Sequence, residues 1–324
     1  MDLPDESLDH VVLTGADPVL PSSFAVGTAA QASMAAAALA AAEIWHLRGG
    51  ARQQVGVDML HAAQECRSHY TINGITPNPW DPITGLYRCG DGGWIRIHAN
   101  FAHHRDGALA LLGCPTGEDT NRAAVERALS RWKALDFEQV AADAGLPVAA
   151  MRSFDEWDRH PQSQAVAVQP LLTLERIGEA DPRPLPKYGH GARPLKDIRV
   201  LDLTRIIAGP VCGRALAAYG ADVMLVNSPH LPNIDNIIDT SRGKLSVLAD
   251  LDTADGRIAL GNLLRSAHVF VQGYRPGGLA ALGFGPQDAA RIRPGIVYVS
   301  LSAYGDKGPW AGRRGFDSLV QTAN

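Results

Sequence analysis

The sequence predicts an α/β protein, with a large domain on a parallel, Rossmann-like sheet beside a smaller α+β domain. Three observations carry this expectation. Downstream of residue 198, short apolar β-branched runs alternate with helical stretches, the texture of right-handed βαβ units. Residues 71–176 instead combine a hairpin signal with several short helices. Between the two, residues 177–197 are rich in Pro and Gly and lack periodicity, as a linker would. At roughly 150 residues per domain, 324 residues suffice for two cores.

Residues 1–70 read as a helical segment ahead of the small domain. One long helix is expected over 26–48, ended by Gly49 and Gly50. Residues 53–59 alternate briefly, and a second helix follows from Met59 to about Tyr70. Residues 76–82 hold three prolines in seven positions and exclude regular structure. The stretch 86–97 is a hairpin signal, its two short strands flanking Gly90, Asp91 and Gly92, which tolerate a tight turn. Helices are expected over 102–112, 121–131 and 136–144, then a strand near 148–152. Ser153 and Glu156 have capping-box spacing. In the linker, 178–186 and 189–191 carry the Pro and Gly residues. The large domain, 198–324, then offers strands at 199–203, 221–226, 245–251, 268–271 and 296–300. Helices fall at 211–218, closed by Gly220, and at 253–265.

Composition narrows the function classes. Hydrophobic residues at 46% and charged residues at 20% suit a globular chain and exclude a disordered one. A net charge of −4, without any Lys/Arg run, offers no field for nucleic acid. The longest apolar run, 25–44, is Ala-rich and broken by Thr28, Gln31, Ser33 and Glu43. Its gain from leaving water is too small for a membrane span, so a tightly packed helix is expected. The acidic residues 1–10 lack the build of a secretory leader, which points to a cytoplasmic protein. Cys66, Cys89, Cys114 and Cys212 show no paired metal-ligand spacing, so no metal is expected.

Chemistry concentrates in the first strand–helix connection of the large domain, 203–210. An open parallel sheet binds ligands at such a place, past a strand's carboxyl end and before a helix N-terminus. It lacks GxGxxG and a Walker lysine, which argues against a dinucleotide enzyme or a P-loop NTPase. The run PLKDIRVLDLTRIIAGP at 194–210 resembles the opening of the class III CoA-transferases (the CaiB/BaiF family). Further stretches agree in order: YGADV at 219–223, SRGKLSV at 241–247, QGYRPG at 272–277, LGF at 282–284, VYVSLSAYG at 297–305, GP at 308–309 and RGFDSLVQ at 314–321. The first half is similar to the later region of the same family, through GGARQQV at 49–55, GGWIRI at 92–97, GLPV at 145–148 and MRSFDEW at 151–157. The resemblance thus implies the family III fold with its halves in inverted order. Either this is a piece of a longer fused, partly duplicated chain with an incomplete large domain, or it is a natural permutation.

The resemblance implies transfer of coenzyme A between an acyl-CoA and a small carboxylic acid, through an acyl-aspartyl anhydride and an aspartyl-CoA thioester. No cofactor is then bound permanently; CoA and acyl-CoA are substrates. The family's Asp falls at Val26 or Gly27 here, and neither can act as a nucleophile. Asp17 is nearby in sequence and is read as a mobile loop acid. The racemase branch of the family uses a His where this chain has Phe316, and Asp317 matches a supporting acidic position or serves as a structural cap. The CoA contacts implied are Ile206, Ile207, Ala208 and Gly209 along the pantetheine, and Arg242 and Lys244 at phosphates. Gly273, Tyr274 and Arg275 lie near the adenine, Gly273 replacing a usual Asn. Asn227 and Ser228 stand where the family commonly has Glu and a basic residue or Pro. An interlocked homodimer is implied as well. The alternative is a catalytically inactive CoA-binding or structural subunit. His103 and His104 are expected at the surface, and Trp94, Trp132 and Trp157 in the small-domain core. His10, His46, His61 and His69 suggest no triad.

Overall fold

The computed structural model describes residues 5–67, 70–78, 80–188 and 192–324. His69, Pro79 and the 189–191 stretch lie outside the described residues. After a 3-10 turn at Asp5–His10, the N-terminal unit runs β1 (Val11–Thr14), α1 (Val26–Leu47), β2 (Val55–Asp58) and α2 (Met59–Cys66). The two strands pair in parallel, Val11 opposite Val55 and Thr14 opposite Asp58. Residues 1–70 are therefore not merely helical but a βαβ unit with α1 as its crossover. β1 escaped the sequence because its four residues do not alternate and its partner lies beyond a helix. α1 follows from its alanines, which lose no side-chain freedom in a helix. Its start is fixed from a distance: the Asp17 carboxylate accepts from the amides of Gly27 (3.1 Å) and Thr28 (2.9 Å) and from Thr28 Oγ1 (2.6 Å). Asp17 thus caps the helix and is not a mobile loop acid. At the other end Gly49, at φ +94°, turns the chain. Helix α2 stops at Cys66, short of the expected Tyr70.

The small domain is built on β3 (Gly85–Arg88), β4 (Trp94–Ile97) and, later in the chain, β5 (Val148–Ala150), all antiparallel, with β4 central. Helices α3 (Ala102–Leu111), α4 (Arg122–Leu129) and α5 (Ala134–Asp143) cover it, followed by α6 (Phe154–Asp158) and α7 (Pro161–Ala167). Its core holds Ile83, Tyr87, Ile95, Ile97, Leu109, Val125, Leu129 and Phe137. Trp132 lies at the edge of this core, but Trp94 is 44% exposed. Trp157 packs elsewhere, against Trp310. The Ser153–Glu156 capping box forms as its spacing predicts.

The large sheet contains β6 (Arg199–Leu203), β7 (Asp222–Asn227), β8 (Lys244–Leu248), β9 (Val269–Gln272) and β10 (Val297–Ser300). All are parallel, in the order β10-β9-β6-β7-β8. Helices α8 (Ala208–Ala218), α9 (Asn236–Thr240), α10 (Ala254–Ser266) and α11 (Pro286–Ile292) connect the strands. Winding runs outward from β6 to β8, then restarts on the other side of β6 at β9. The strand order reverses between β6 and β9, where open sheets hold ligands. α8 begins three residues earlier than expected because Pro210 sits in the first turn, where a missing N–H is no loss.

Residues past β10 leave this sheet. α12 (Asp317–Ala323) packs on β4 and β5 of the small domain, where Leu319 and Ala323 join Ala149, Tyr304 and Trp310 in one buried cluster. Gln162, fully buried on α7, holds the approach: its amide donates to the carbonyls of Tyr304 (2.6 Å) and Lys307 (2.8 Å) and accepts from the Trp310 amide (2.7 Å). The chain's last turn of sequence therefore belongs spatially with the small domain. Among the described residues, no helix is long and apolar enough to cross a membrane.

The linker carries no helix or strand among its described residues, yet it is not a free tether. Arg48, 1% exposed at the end of α1, donates to the carbonyls of Pro186 (3.0 Å), Pro194 (2.7 Å) and Lys196 (3.0 Å) and lies over the Tyr188 ring. Replacing it removes a buried guanidinium and the donor to three carbonyls of the linker region. Arg48→Ala is expected to lower stability by about 2–4 kcal/mol, with Arg48→Lys recovering little because an ammonium cannot span the three acceptors. Urea unfolding of the two variants against the parent checks this; a loss below about 0.5 kcal/mol would show the linker to be unanchored.

Candidate functional site

The loop from β6 into α8 rests on a buried charge. Asp202, fully buried in β6, accepts from the Thr204 amide (3.1 Å) and hydroxyl, and from Lys244 Nζ (2.7 Å) reaching across from β8. Lys244 also donates to the Pro210 carbonyl (2.8 Å) in the first turn of α8. One ammonium therefore ties β8, β6 and α8 together. α8 sits tightly on this joint: a Cβ on Gly213 would lie 2.1 Å from Asp202 Oδ2, and one on Gly209 2.5 Å from Thr204 Cβ. The loop itself is strained at Ile206, a β-branched residue at φ +73°. Such a conformation costs roughly 1–3 kcal/mol and persists only where its surroundings impose it.

This geometry revises two expected phosphate contacts. Lys244 has no exposed side-chain surface and its charge is already paired, so it faces no phosphate. Its spacing from Arg242 in a β-strand start gave no hint that it turns inward. Arg242 stays at the surface, bonded to Asp239 on α9 (2.9 Å). The remaining expected contacts do converge. Gly273 follows β9 and lies against Thr204, its amide 3.4 Å from the Leu203 carbonyl. Tyr274 packs on the core beneath, its amide held by Gln272 Oε1 (2.8 Å), and burial pushes its phenol pKa up. Arg275 is exposed beside them. Ile206, Ile207, Ala208, Gly209, Gly273, Tyr274 and Arg275 thus surround the reversal point, with Ala208 exposed at the N-terminus of α8 and Gly209 buried behind it. A small cavity of about 10 Å³ opens on the β7 side, lined by Thr204, Ile206, Leu225, Asn227, Ile234 and Ile237. The 231–237 stretch was missed by sequence; Asn233, which donates to Asn227 Oδ1 (3.1 Å), closes it over the strand end.

A second group of residues faces this loop from the small domain. Arg205 lies 5.3 Å from the Phe101 ring, and Phe101, His98 and His104 surround Phe316. His98 stacks on Phe316 with centroids 4.0 Å apart, Nδ1 3.5 Å from Ser318 Oγ and Nε2 unbonded. His104 is 4% exposed with neither ring nitrogen bonded, against the expectation of a surface residue. It lies on the face of α3 turned toward Phe316, while His103 points outward. Burial, then Arg96, pushes the His98 imidazole down to about 4. Burial, followed by His103, Arg314, His98 and Arg205, pushes His104 down to about 3. Both rings are neutral near pH 7. Among the described residues, Arg205, Arg275 and Arg314 form no ion pair with a carboxylate. Burial lowers the pKa of Arg205 and Arg314, and a neighbouring arginine adds to it in each.

The acidic candidates stand apart. Asp317 occupies the first turn of α12, where its charge suits the helix dipole, and accepts from Gln321 Nε2 (2.8 Å). Val26 and Gly27 begin α1, and a Cβ on Gly27 would fall 2.4 Å from Asp17 Oδ1. His230, Asp250 and Asp252 bring ligand atoms within 4.8 Å of one another, but His230 and Asp252 are exposed and Asp250 already takes the His230 ring and the Asp252 amide.

Comparison with known proteins bears on this crevice. A profile of CoA-transferase family III matches residues 10–183 and 195–324. An acyl-CoA transferase of Gibberella moniliformis is 30% identical over 321 residues, 87% of this chain and 56% of the relative. A probable fatty acyl-CoA transferase of Mycobacterium tuberculosis is 35% identical over 143 residues, 40% of this chain and 36% of the relative. A succinate–glutarate CoA-transferase of Agrobacterium fabrum is 33% identical over 147 residues, 40% of this chain and 37% of the relative. The chain thus spans about half the length of the first relative and little more than a third of the other two.

Two outcomes test the site's physics. Lys244→Met strands a buried carboxylate and is expected to destabilise by about 3–5 kcal/mol, whereas Asp202→Asn combined with Lys244→Met restores most of that. Denaturant titration of both checks it; a double variant weaker than the single one overturns it. The histidines set a pH dependence. Unfolded, both titrate near 6.5, so between that pH and about 4 the unfolded chain holds protons the folded chain does not. Stability is complete above that window and falls as pH drops through it, by up to about 1.4 kcal/mol per pH unit for each ring. A His98→Phe, His104→Phe variant should show a flatter profile in unfolding titrations from pH 7 to 4.

Proposed function

The chain belongs to CoA-transferase family III, and on that footing we propose that it binds the nucleotide and pantetheine of an acyl-CoA where its strand order reverses. There it takes part in moving CoA between an acyl-CoA and a small carboxylic acid. One observation carries the reading. The loops 204–208 and 273–275, far apart in sequence, meet at the carboxyl ends of β6 and β9 in a conformation held by the Asp202–Lys244 pair. The exposed Ala208 and the helix N-terminus allow close backbone approach to a phosphate-bearing chain, and Arg205 and Arg275 supply positive charge beside it.

In this reading a carboxylate nucleophile attacks the acyl-CoA, forming an acyl anhydride and expelling the CoA thiolate, which then attacks the enzyme-side carbonyl, releases the donor acid and leaves an aspartyl-CoA thioester. The acceptor carboxylate attacks that thioester to form a second anhydride, and the expelled thiolate takes the acceptor's acyl group from it, giving the new acyl-CoA and the free carboxylate. Val26 and Gly27 cannot provide that carboxylate, and Asp17 already fills the place a side chain on Gly27 would take. The nucleophile then comes from elsewhere in the working assembly. The second reading, a CoA-binding subunit without its own nucleophile, is favoured by the same observation. The family profile meets the chain in two stretches, 10–183 and 195–324, which divide at the linker, and the order of a later-type half before an earlier-type one is part of the same proposal. An interlocked homodimer accords with the apolar surface left open on the N-terminal unit, where Leu13 is 52%, Phe24 62% and Leu47 70% exposed.

Calorimetric titration with CoA is expected to give saturable binding in the micromolar range. Ala208→Leu, at an exposed position, should weaken it at least tenfold without moving the unfolding midpoint. No heat at millimolar CoA, or equal affinity for the variant, removes the reading. Intact-protein mass spectrometry after incubation with succinyl-CoA separates its two forms: an acyl adduct places a nucleophile within this chain, and an unmodified mass favours the subunit without one.

A further inference from the structure

The large sheet ends on β8, which pairs with β7 on one side and with no strand on the other among the described residues. Natural sheets guard such an edge with outward charge, proline or a bulge. Here those guards are missing. The strand reads Lys-Leu-Ser-Val-Leu, and its register with β7 runs unbroken over 244–248. Its one charge, Lys244, is turned inward to Asp202 with no side-chain surface exposed, yet the residue keeps accessible surface, which is therefore its main chain. Leu245 and Leu248 are 65% and 67% exposed.

The inner ladder decides which main-chain groups face outward. The Ala249 amide donates to the Asn227 carbonyl (2.9 Å), so the alternate residues Leu245 and Val247 also bond inward to β7. Lys244, Ser246 and Leu248 direct their N–H and C=O groups away from the sheet. The turn carbonyl of Ser241 takes the Lys244 amide (3.0 Å), which leaves the Lys244 carbonyl and both groups of Ser246 and Leu248 at the open edge. Charge divides along the strand as well. Arg242 is exposed just before it, while Asp250 and the exposed Asp252 gather just past its end.

We infer that β8 is a self-association surface, through which two copies of this chain join antiparallel about a two-fold axis at Ser246 and merge their large sheets into one. In that register Ser246 faces its own copy and exchanges both main-chain bonds, and the Lys244 carbonyl receives the Leu248 amide. An axis normal to the sheet keeps each face on its own side. Leu245 then covers Val247 of the other copy on one face, and Leu248 covers the buried stem of Lys244 on the other. The basic start of each strand lies beside the acidic end of its mate, whereas a parallel neighbour would set like ends together. The edge lies away from the crevice between β6 and β9, so the inference stands whether or not CoA binds there.

Sedimentation of the intact chain from micromolar to millimolar concentration tests it through the subunit number. Ser246→Pro removes the central outward N–H, and an unpaired edge tolerates proline, so this variant is expected to at least halve the subunit number with an unchanged unfolding midpoint. Leu248→Lys, at an exposed position, puts back the missing guard and should weaken association at least tenfold, which keeps the test in hand if the proline variant fails to fold. Arg242→Asp should weaken it too, and Arg242→Asp combined with Asp252→Arg, which reverses both ends, should recover it. A parent and a Leu248→Lys variant of equal mass at every concentration overturn the inference and leave the edge to some other occupant. A reversed pair that associates no better than Arg242→Asp alone overturns it as well.

Discussion

The buried pair of Asp202 and Lys244 is the joint on which the crevice depends. Taking two charges out of water is costly unless each finds further partners, and here both do. Asp202 also receives the Thr204 amide and hydroxyl, and Lys244 also reaches the Pro210 carbonyl. Those partners lie on either side of Ile206, so the network clamps both ends of the strained turn. The strain at one residue is smaller than the loss from opening a buried ion pair, so the turn stays as built. Gly209 and Gly213 complete the joint, since any side chain there would collide with Thr204 or Asp202. The backbone of the loop is thereby held in one conformation by groups of the chain itself.

Elements with strong local signals were legible in the sequence. The alternation after residue 198 gave five parallel strands, and the first βα connection placed Ile206 through Gly209 where the sheet reverses. The Gly90–Gly92 turn and the Ser153 cap needed only neighbours along the chain. What could not be read are contacts made across the chain. β1 is defined by a partner more than forty residues away. Asp17 looks like a loop acid until α1 folds back onto it. Lys244 has the pattern of an exposed strand start, and only the approach of β6 turns it inward. His104 lies on a short helix whose periodicity leaves its facing ambiguous, and it is buried only because residues 316–323 cross from the large domain to the small one.

That crossing matters for how the parts cooperate. The segment after β10 carries Arg314 and Phe316 out of the sheet and seats them against the histidines of the hairpin side. Gln162 fixes its path with three hydrogen bonds, all to backbone groups, so the sequence of the segment can vary while its route cannot. At the opposite end, Arg48 ties the linker to α1. The small and large domains are thus joined through the segment after β10, the N-terminal unit is tied separately to the linker at Arg48, and the crevice loop follows the central strand β6.

Charge placement follows the same division. The chain carries a net −4, yet Arg205, Arg275 and Arg314 gather around one loop with no carboxylate ion-paired to them among the described residues. Such a local field in a partly desolvated site attracts anions far more strongly than the net charge suggests. The N-terminus of α1 shows the contrary arrangement: its free amides could hold an anion, but Asp17 already occupies them. A carboxylate so held, and kept ionised by the Thr28 hydroxyl and amide, is stabilised where it stands and is a poor nucleophile there. The N-terminus of α8 carries no side-chain cap, whereas that of α1 is closed by the chain itself.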